Sequence, residues 1–228
     1  MRLLITNIGI LAGLDKEQKL RLCGSEMKQF STIENAWLLI EDSRFKDWGK
    51  MSEMPSEGIP SDKTIDAGGG AVLPSWCDPH THIVFAGSRE GEFVDKICGL
   101  SYAEIAKRGG GILNSADLLH TLSEDELYSS AMRRVDEIIR KGTGCVEIKS
   151  GYGLNTEDEL KMLRVIRRIK ETTPLKVKST FLGAHAVGRG YSQPDYVDLV
   201  VNEMCSATKV SSLQKRQPVF LRQQANGV

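Results

Sequence analysis

Short apolar blocks separated by turn-forming residues dominate residues 1–70. Leu3-Leu4-Ile5 leads into a polar stretch, and Ala36-Trp37-Leu38-Leu39-Ile40 passes through Glu41-Asp42-Ser43 into Arg44-Phe45-Lys46-Asp47-Trp48-Gly49. Two apolar runs joined by a short polar turn predict a β-hairpin. Residues 52–63 hold Pro55, Gly58 and Pro60 and predict a loop. Gly68-Gly69-Gly70 then marks the entry to a region with a different period.

From residue 71 onward, strand-like and helix-like segments alternate. Ala71 to Cys77, Thr143 to Lys149 and Leu175 to Leu182 are the strand candidates. Between them, Ser101 with Glu104, Ser123 with Glu126 and Thr156 with Glu159 fit the spacing of a capping box. Leu127, Ala131, Val135 and Ile138 fall on one helical face, as do Leu160, Leu163, Ile166 and Ile169. Strands alternating with helices at this spacing predict an α/β fold of parallel βα units. A doubly wound sheet and part of a (β/α)8 barrel both satisfy the pattern. No GxGxxG or Walker A loop supports nucleotide binding.

Charge changes the picture in two places. Over the 228 residues 30 Lys+Arg balance 30 Asp+Glu, which argues against binding nucleic acid or an anionic membrane through bulk charge. Cys205 to Val228, however, holds Lys209, Lys215, Arg216 and Arg222 and no acid. That stretch reads as a divergent basic tail, expected to be disordered. The break at 204/205 raises the expectation of a displaced reading frame. No apolar run approaches the ~20 residues of a membrane span, and the N-terminus lacks the features of a signal peptide. Five cysteines, at 23, 77, 98, 145 and 205, include no CxxC pair and fit reduced thiols in the cytoplasm.

The strongest chemical signal is Asp78-Pro79-His80-Thr81-His82, expected at the end of the first strand of the α/β region. Histidines at i and i+2 of an extended segment project to the same side. His80 and His82 can therefore share one metal ion, and their neutral nitrogens suit Zn or Fe. Arg89, Tyr152 and His185 also follow strand candidates, and in a barrel such loops converge on one mouth. A guanidinium can hold a carboxylate on two N–H groups, and a phenol and an imidazole can hydrogen-bond a polar ring. Equally, Arg89 reads as a surface cation, Tyr152 as a loop cap and His185 as a hydrogen-bonded structural residue. His120, at a helix entrance, reads as structural or exposed. Gly109-Gly110-Gly111 reads either as room for a ligand or as a helix-ending turn.

Several longer strings carry a resemblance. Val72-Leu73-Pro74 through His82, Phe85 to Phe93, Arg108 to Ile112, Glu147 to Leu154, Glu159 to Ile166 and Gly183-Ala184-His185 together resemble the imidazolonepropionase family of the metal-dependent amidohydrolases. The resemblance is read from about residue 1 to Met204, as an N-terminal half. It implies a partial (β/α)8 amidohydrolase barrel of about three βα units over 71–204, preceded by part of a small β-sandwich domain over 1–70. It implies His80 and His82 as metal ligands for one Zn or Fe ion, and Arg89, Tyr152 and His185 as substrate contacts, with Arg89 facing the propionate. The implied reaction is hydrolysis of 4-imidazolone-5-propanoate to N-formimidoyl-L-glutamate in histidine degradation, in a homodimer. The resemblance places the general base and acid in the part not matched here, so the chain alone is expected to be inactive. A non-catalytic remnant, a ligand-binding fragment and one half of a split enzyme are the competing readings.

Overall fold

The computed structural model describes residues 1–14, 21–28, 30–101, 104–105, 108 and 110–210. The chain divides into two compact units, Met1–Pro74 and Ser75–Val228.

In the first unit, β1 (Arg2–Ala12), β2 (Thr32–Glu41), β3 (Arg44–Lys50) and β4 (Lys63–Asp66) form a sheet of order β3-β2-β1-β4. β5 (Ala71–Val72) also pairs with β1, parallel to it. The predicted hairpin is β2–β3, antiparallel. Its turn residues Asp42 and Ser43 have φ of 48° and 63°, the left-handed pair whose twist matches a two-residue hairpin. The sheet is covered on both faces by residues alternating along β2. Ala36 and Leu38 pack with Ile8 and Leu11, while Trp37 and Leu39 pack with Leu4, Met51, Met54 and Ile59. The predicted loop thus folds Met54 and Ile59 over the sheet. Among the described residues this unit forms one five-stranded sheet. Gly9 admits the turn at 68–70: a Cβ there would lie 2.1 Å from the Gly69 carbonyl oxygen.

In the second unit, β6 (Trp76–Thr81), β7 (Thr143–Lys149) and β8 (Lys176–Thr180) form a parallel sheet of that order. α1 (Glu90–Ile97), α2 (Ile112–Thr121) and α3 (Glu124–Arg140) lie between β6 and β7, and α4 (Thr156–Thr172) between β7 and β8. A 3-10 turn at Gly183–His185 and α5 (Gln193–Asp198) follow. A π-helical stretch (Leu199–Met204) then runs into α6 (Cys205–Val210). Both predicted helical faces are used: Leu127, Ala131 and Val135 of α3 and Leu163, Ile166 and Ile169 of α4 are buried with Val146, Ile148 and Val177 of the sheet. Burying side chains of this size contributes about 1.5–3 kcal/mol each. The opposite face of β7 carries Cys145, Glu147 and Lys149, which are half-buried. No helix among the described residues is long and apolar enough to cross a membrane.

Four sequence expectations need correction. Ala71 to Cys77 is not one strand: Ala71–Val72 pairs in the first sheet and Trp76 onward in the second. Pro74, between them, has no N–H to donate to a ladder. Second, the strand does not stop at Cys77: Asp78 to Thr81 belong to β6, which leaves the motif at the strand's end, as expected. Third, the N-cap of α4 is Asn155, whose side chain accepts from the Asp158 N–H. The Thr156–Glu159 spacing is therefore one residue out of frame, and Glu159 points inward. The Ser123–Glu126 box is as expected, and Ser101 and Glu104 exchange the same reciprocal bonds. Fourth, no structural break falls at 204/205: helix continues to Val210, with Cys205 and Thr208 buried. The rest of the expected tail, 211–228, lies outside the described residues.

Candidate active site

The site is assembled at the C-terminal ends of three adjacent parallel strands. β6 carries His80, and His82 lies just past its end; Tyr152 follows β7 and His185 follows β8. The His82 ring is 5.6 Å from His80, 5.1 Å from Tyr152 and 4.9 Å from His185, centroid to centroid. Tyr152 and His185 stand edge to face at 5.7 Å. A pocket of about 320 Å³ is lined by His82, Phe85, Arg89, Glu90, Ser115 and Tyr152. The five residues singled out in the sequence are thereby brought near one another: the His82 ring meets those of His80, Tyr152 and His185, and Arg89 lines the pocket with His82 and Tyr152.

Backbone geometry places each of them. Past His82, the chain is pinned by Arg134 of α3, whose Nε donates to the Ile83 carbonyl at 2.8 Å and Nη2 to that of Phe85 at 3.2 Å. The same guanidinium lies 3.8 Å over the Phe85 ring, a cation–π contact. Arg89 precedes α1 and is held by Glu92, to which its Nε donates at 2.9 Å. Glu92 in turn accepts the Gly111 N–H at 2.8 Å. Gly111 thus serves this acid, and Gly109 lies outside the described residues. Ser150 accepts the Leu182 N–H at 3.0 Å, stitching the loop after β7 to the loop after β8. Tyr196 of α5 donates to the Gly183 carbonyl at 2.7 Å, beside His185. His120 bonds the Gly153 carbonyl at 2.7 Å, which supports its structural reading. Arg134, Ser150 and Tyr196 were not singled out from sequence. Each acts on a backbone group distant in sequence, and no local pattern announces such a bond.

Electrostatics follow from burial. Burial, then the neighbouring His185 and His80 imidazoles and the Lys149 ammonium, lower the His82 pKa to about 4. Neither of its ring nitrogens has a hydrogen-bond partner. Buried polar atoms are ordinarily satisfied, so an orphaned imidazole beside a second one fits a metal ligand. Among the described residues, however, no three His, Cys, Asp or Glu side chains are gathered to hold an ion. The donor set thus fits the His80–His82 part of a metal site. Burial raises the Tyr152 pKa, with a smaller opposing pull from Arg89, so its phenol stays a hydrogen-bond donor.

No protein-family model matches the chain. Among solved structures, it is similar to 5-methylcytosine deaminase from Klebsiella pneumoniae (TM-score 0.53, 12% identity, 92% of this chain and 41% of that one). It is also similar to E. coli guanine deaminase (TM-score 0.53, 11% identity, 80% of this chain and 36% of that one). These likenesses show a shared mixed α/β fold. Sequence relatives are much nearer. The imidazolonepropionase of Christiangramia forsetii is 53% identical over 222 residues, covering 96% of this chain and 54% of the relative. That of Flavobacterium psychrophilum is 49% identical over 223 residues, covering 97% and 54%. That of Flavobacterium johnsoniae is 48% identical over 219 residues, covering 95% and 53%. Matches of this extent run past Met204, where the sequence reading ended the resemblance. The change there is one of charge and is not a limit of the similarity. The chain is a homologue of imidazolonepropionases, and it spans about half the length of the curated relatives it matches.

Proposed function

We propose that this chain supplies the His80–His82 metal ligands and the substrate-contacting side of a (β/α)8 amidohydrolase barrel, about three of its βα units. The reaction is hydrolysis of 4-imidazolone-5-propanoate to N-formimidoyl-L-glutamate, in the histidine-degradation pathway of the cytoplasm. What carries the reading is the convergence of His80, His82, Arg89, Tyr152 and His185 at one end of the parallel sheet, in a chain half identical to imidazolonepropionases.

His80 and His82 would hold one Zn or Fe ion through their neutral nitrogens, and the low pKa of His82 keeps it in that form at neutral pH. Such an ion, when bound, acidifies water and polarises a carbonyl. The remaining residues bind and orient. The Arg89 pair with Glu92 uses Nε and Nη2, so a propionate carboxylate approaches along the other edge of the guanidinium or displaces Glu92. Tyr152 donates to the polar ring, and His185, packed against both Tyr152 and His82, bonds its other side. Water adds across the ring amide: the C–N bond breaks, the acyl carbon becomes a carboxylate and the nitrogen takes the proton. Glu92 is committed to Arg89 and Gly111, and we assign no general base within this chain. Binding without turnover at an ordinary enzymatic rate is therefore expected of the chain alone.

Calorimetry with 4-imidazolone-5-propanoate, on chain loaded with Zn or Fe, tests the proposal. Binding that weakens at least tenfold in Arg89→Ala and in Tyr152→Phe supports it. No binding by the loaded chain, or binding indifferent to both substitutions, refutes it.

A further inference from the structure

The sequence placed Glu159 in a capping box, yet its side chain is fully buried. Its Oε1 accepts three backbone N–H groups from the loop after β7: Gly151 at 3.1 Å, Gly153 at 2.8 Å and Leu154 at 3.3 Å. We propose that Glu159 is the positioning residue for Tyr152, the hub around which residues 151–154 fold and which sets the phenol against His82 and His185. The proposal rests on the reading of Tyr152 as a contact to the ring acid.

Three observations carry it. The loop adopts backbone conformations it would not hold unaided: Gly151 has φ of 115° and Leu154, with its Cβ, φ of 53°. A non-glycine residue in the left-handed region persists where its surroundings over-determine it, and here one carboxylate oxygen gathers the N–H groups. Next, the loop sits directly on the first turn of α4. A Cβ on Gly153 would lie 2.3 Å from the Glu159 nitrogen, so the close seat requires glycine. Finally, the same loop touches the next site residue. A Cβ on Gly151 would lie 2.8 Å from the His185 Cβ, so moving the loop moves the packing of both Tyr152 and His185. His120 takes the Gly153 carbonyl from the other side. An acid buried this deeply is costly unless its oxygens are used: Oε1 takes three N–H groups of this loop, while Oε2 lies buried without a backbone partner and burial raises the carboxyl pKa.

Native-state amide exchange on the unaltered chain is the first test. The Gly151, Gly153 and Leu154 amides are expected to be protected and to open together. Exchange of Gly153 at the rate of a free loop overturns the proposal. Two variants separate positioning from space filling. Glu159→Gln keeps an acceptor and is expected to hold affinity for 4-imidazolone-5-propanoate within about threefold. Glu159→Leu fills the space without an acceptor and is expected to lose at least tenfold. In a Tyr152→Phe background the Leu substitution is expected to cost little more, because its effect passes through Tyr152. Full affinity in the Leu variant, or additive losses in the double variant, overturns the proposal. Should Glu159→Leu not fold, the exchange of the unaltered chain decides. Should the unaltered chain not bind the ring acid, the proposed function falls on its own. The inference is then judged by the nuclear Overhauser contact between the Tyr152 and His82 rings. Its loss in Glu159→Leu supports the hub, and its persistence overturns it.

Discussion

His82 has its ring nitrogens buried without partners, and burial with two neighbouring imidazoles and the Lys149 ammonium lowers its pKa to about 4. The sign of the consequence is fixed. Unfolded, His82 takes a proton near its ordinary pKa of ~6.5. Folded, it resists protonation until about pH 4. Its contribution to stability is therefore complete above ~6.5 and is lost as pH falls from there towards 4. The full effect is on the order of 3 kcal/mol at most. Thermal melts across pH 7.5 to 4.5 should fall more steeply for the unaltered chain than for His82→Gln; equal slopes would refute the assignment. At pH 7.5, Zn is expected to raise the melting temperature, with the rise abolished in His80→Ala and in His82→Ala. Of these residues, His80 and His82 were legible from their spacing alone. Glu159 was visible but misread, because Asn155-x-x-Asp158 and Thr156-x-x-Glu159 both fit a cap and only one can sit at the helix start. Packing chose the first, where the side chain meets the helix N–H groups.

Among the elements, α3 and α4 were the most legible, because a 3.6-residue apolar period over 17 residues leaves few alternatives. Their cores set measurable costs. Leu163 of α4 is fully buried in the core it shares with the sheet and α3, so Leu163→Ala is expected to cost about 2–5 kcal/mol in urea unfolding. Ser123 caps α3 through a reciprocal box with Glu126, and Ser123→Ala is expected to cost about 1 kcal/mol. A larger loss at Ser123 than at Leu163 would contradict this ranking. β6 was less legible. Its residues Trp76 to Pro79 are exposed and Thr81 only half-buried, so no alternation or apolar run marks its limits. It is identified as a strand by its pairing with β7, which a single sequence does not display.

For the molecule as a whole, β6 leaves one backbone edge without a partner strand among the described residues, and Trp76 beside it is 64% exposed. Unpaired edges with exposed apolar side chains favour association. Sedimentation is expected to show concentration-dependent self-association, reduced by Trp76→Lys. A monomer at all concentrations for both chains would remove this expectation.

The sequence alone determined the parallel βα character, the helical faces and the β2–β3 hairpin, and its spacing offered His80 and His82 as a ligand pair. Each is written in local spacing: periods of two and 3.6, a polar turn, two histidines one residue apart. Tertiary structure decided the rest. It cut the run 71–77 between two sheets, carried the helix through 204/205 and turned Glu159 from a cap into a buried hub. It also recruited Arg134, Ser150 and Tyr196 to hold the loops that bear Arg89, Tyr152 and His185. These outcomes depend on hydrogen bonds and packing between residues far apart in the chain, and such partners are set only when the sheet and its helices close together.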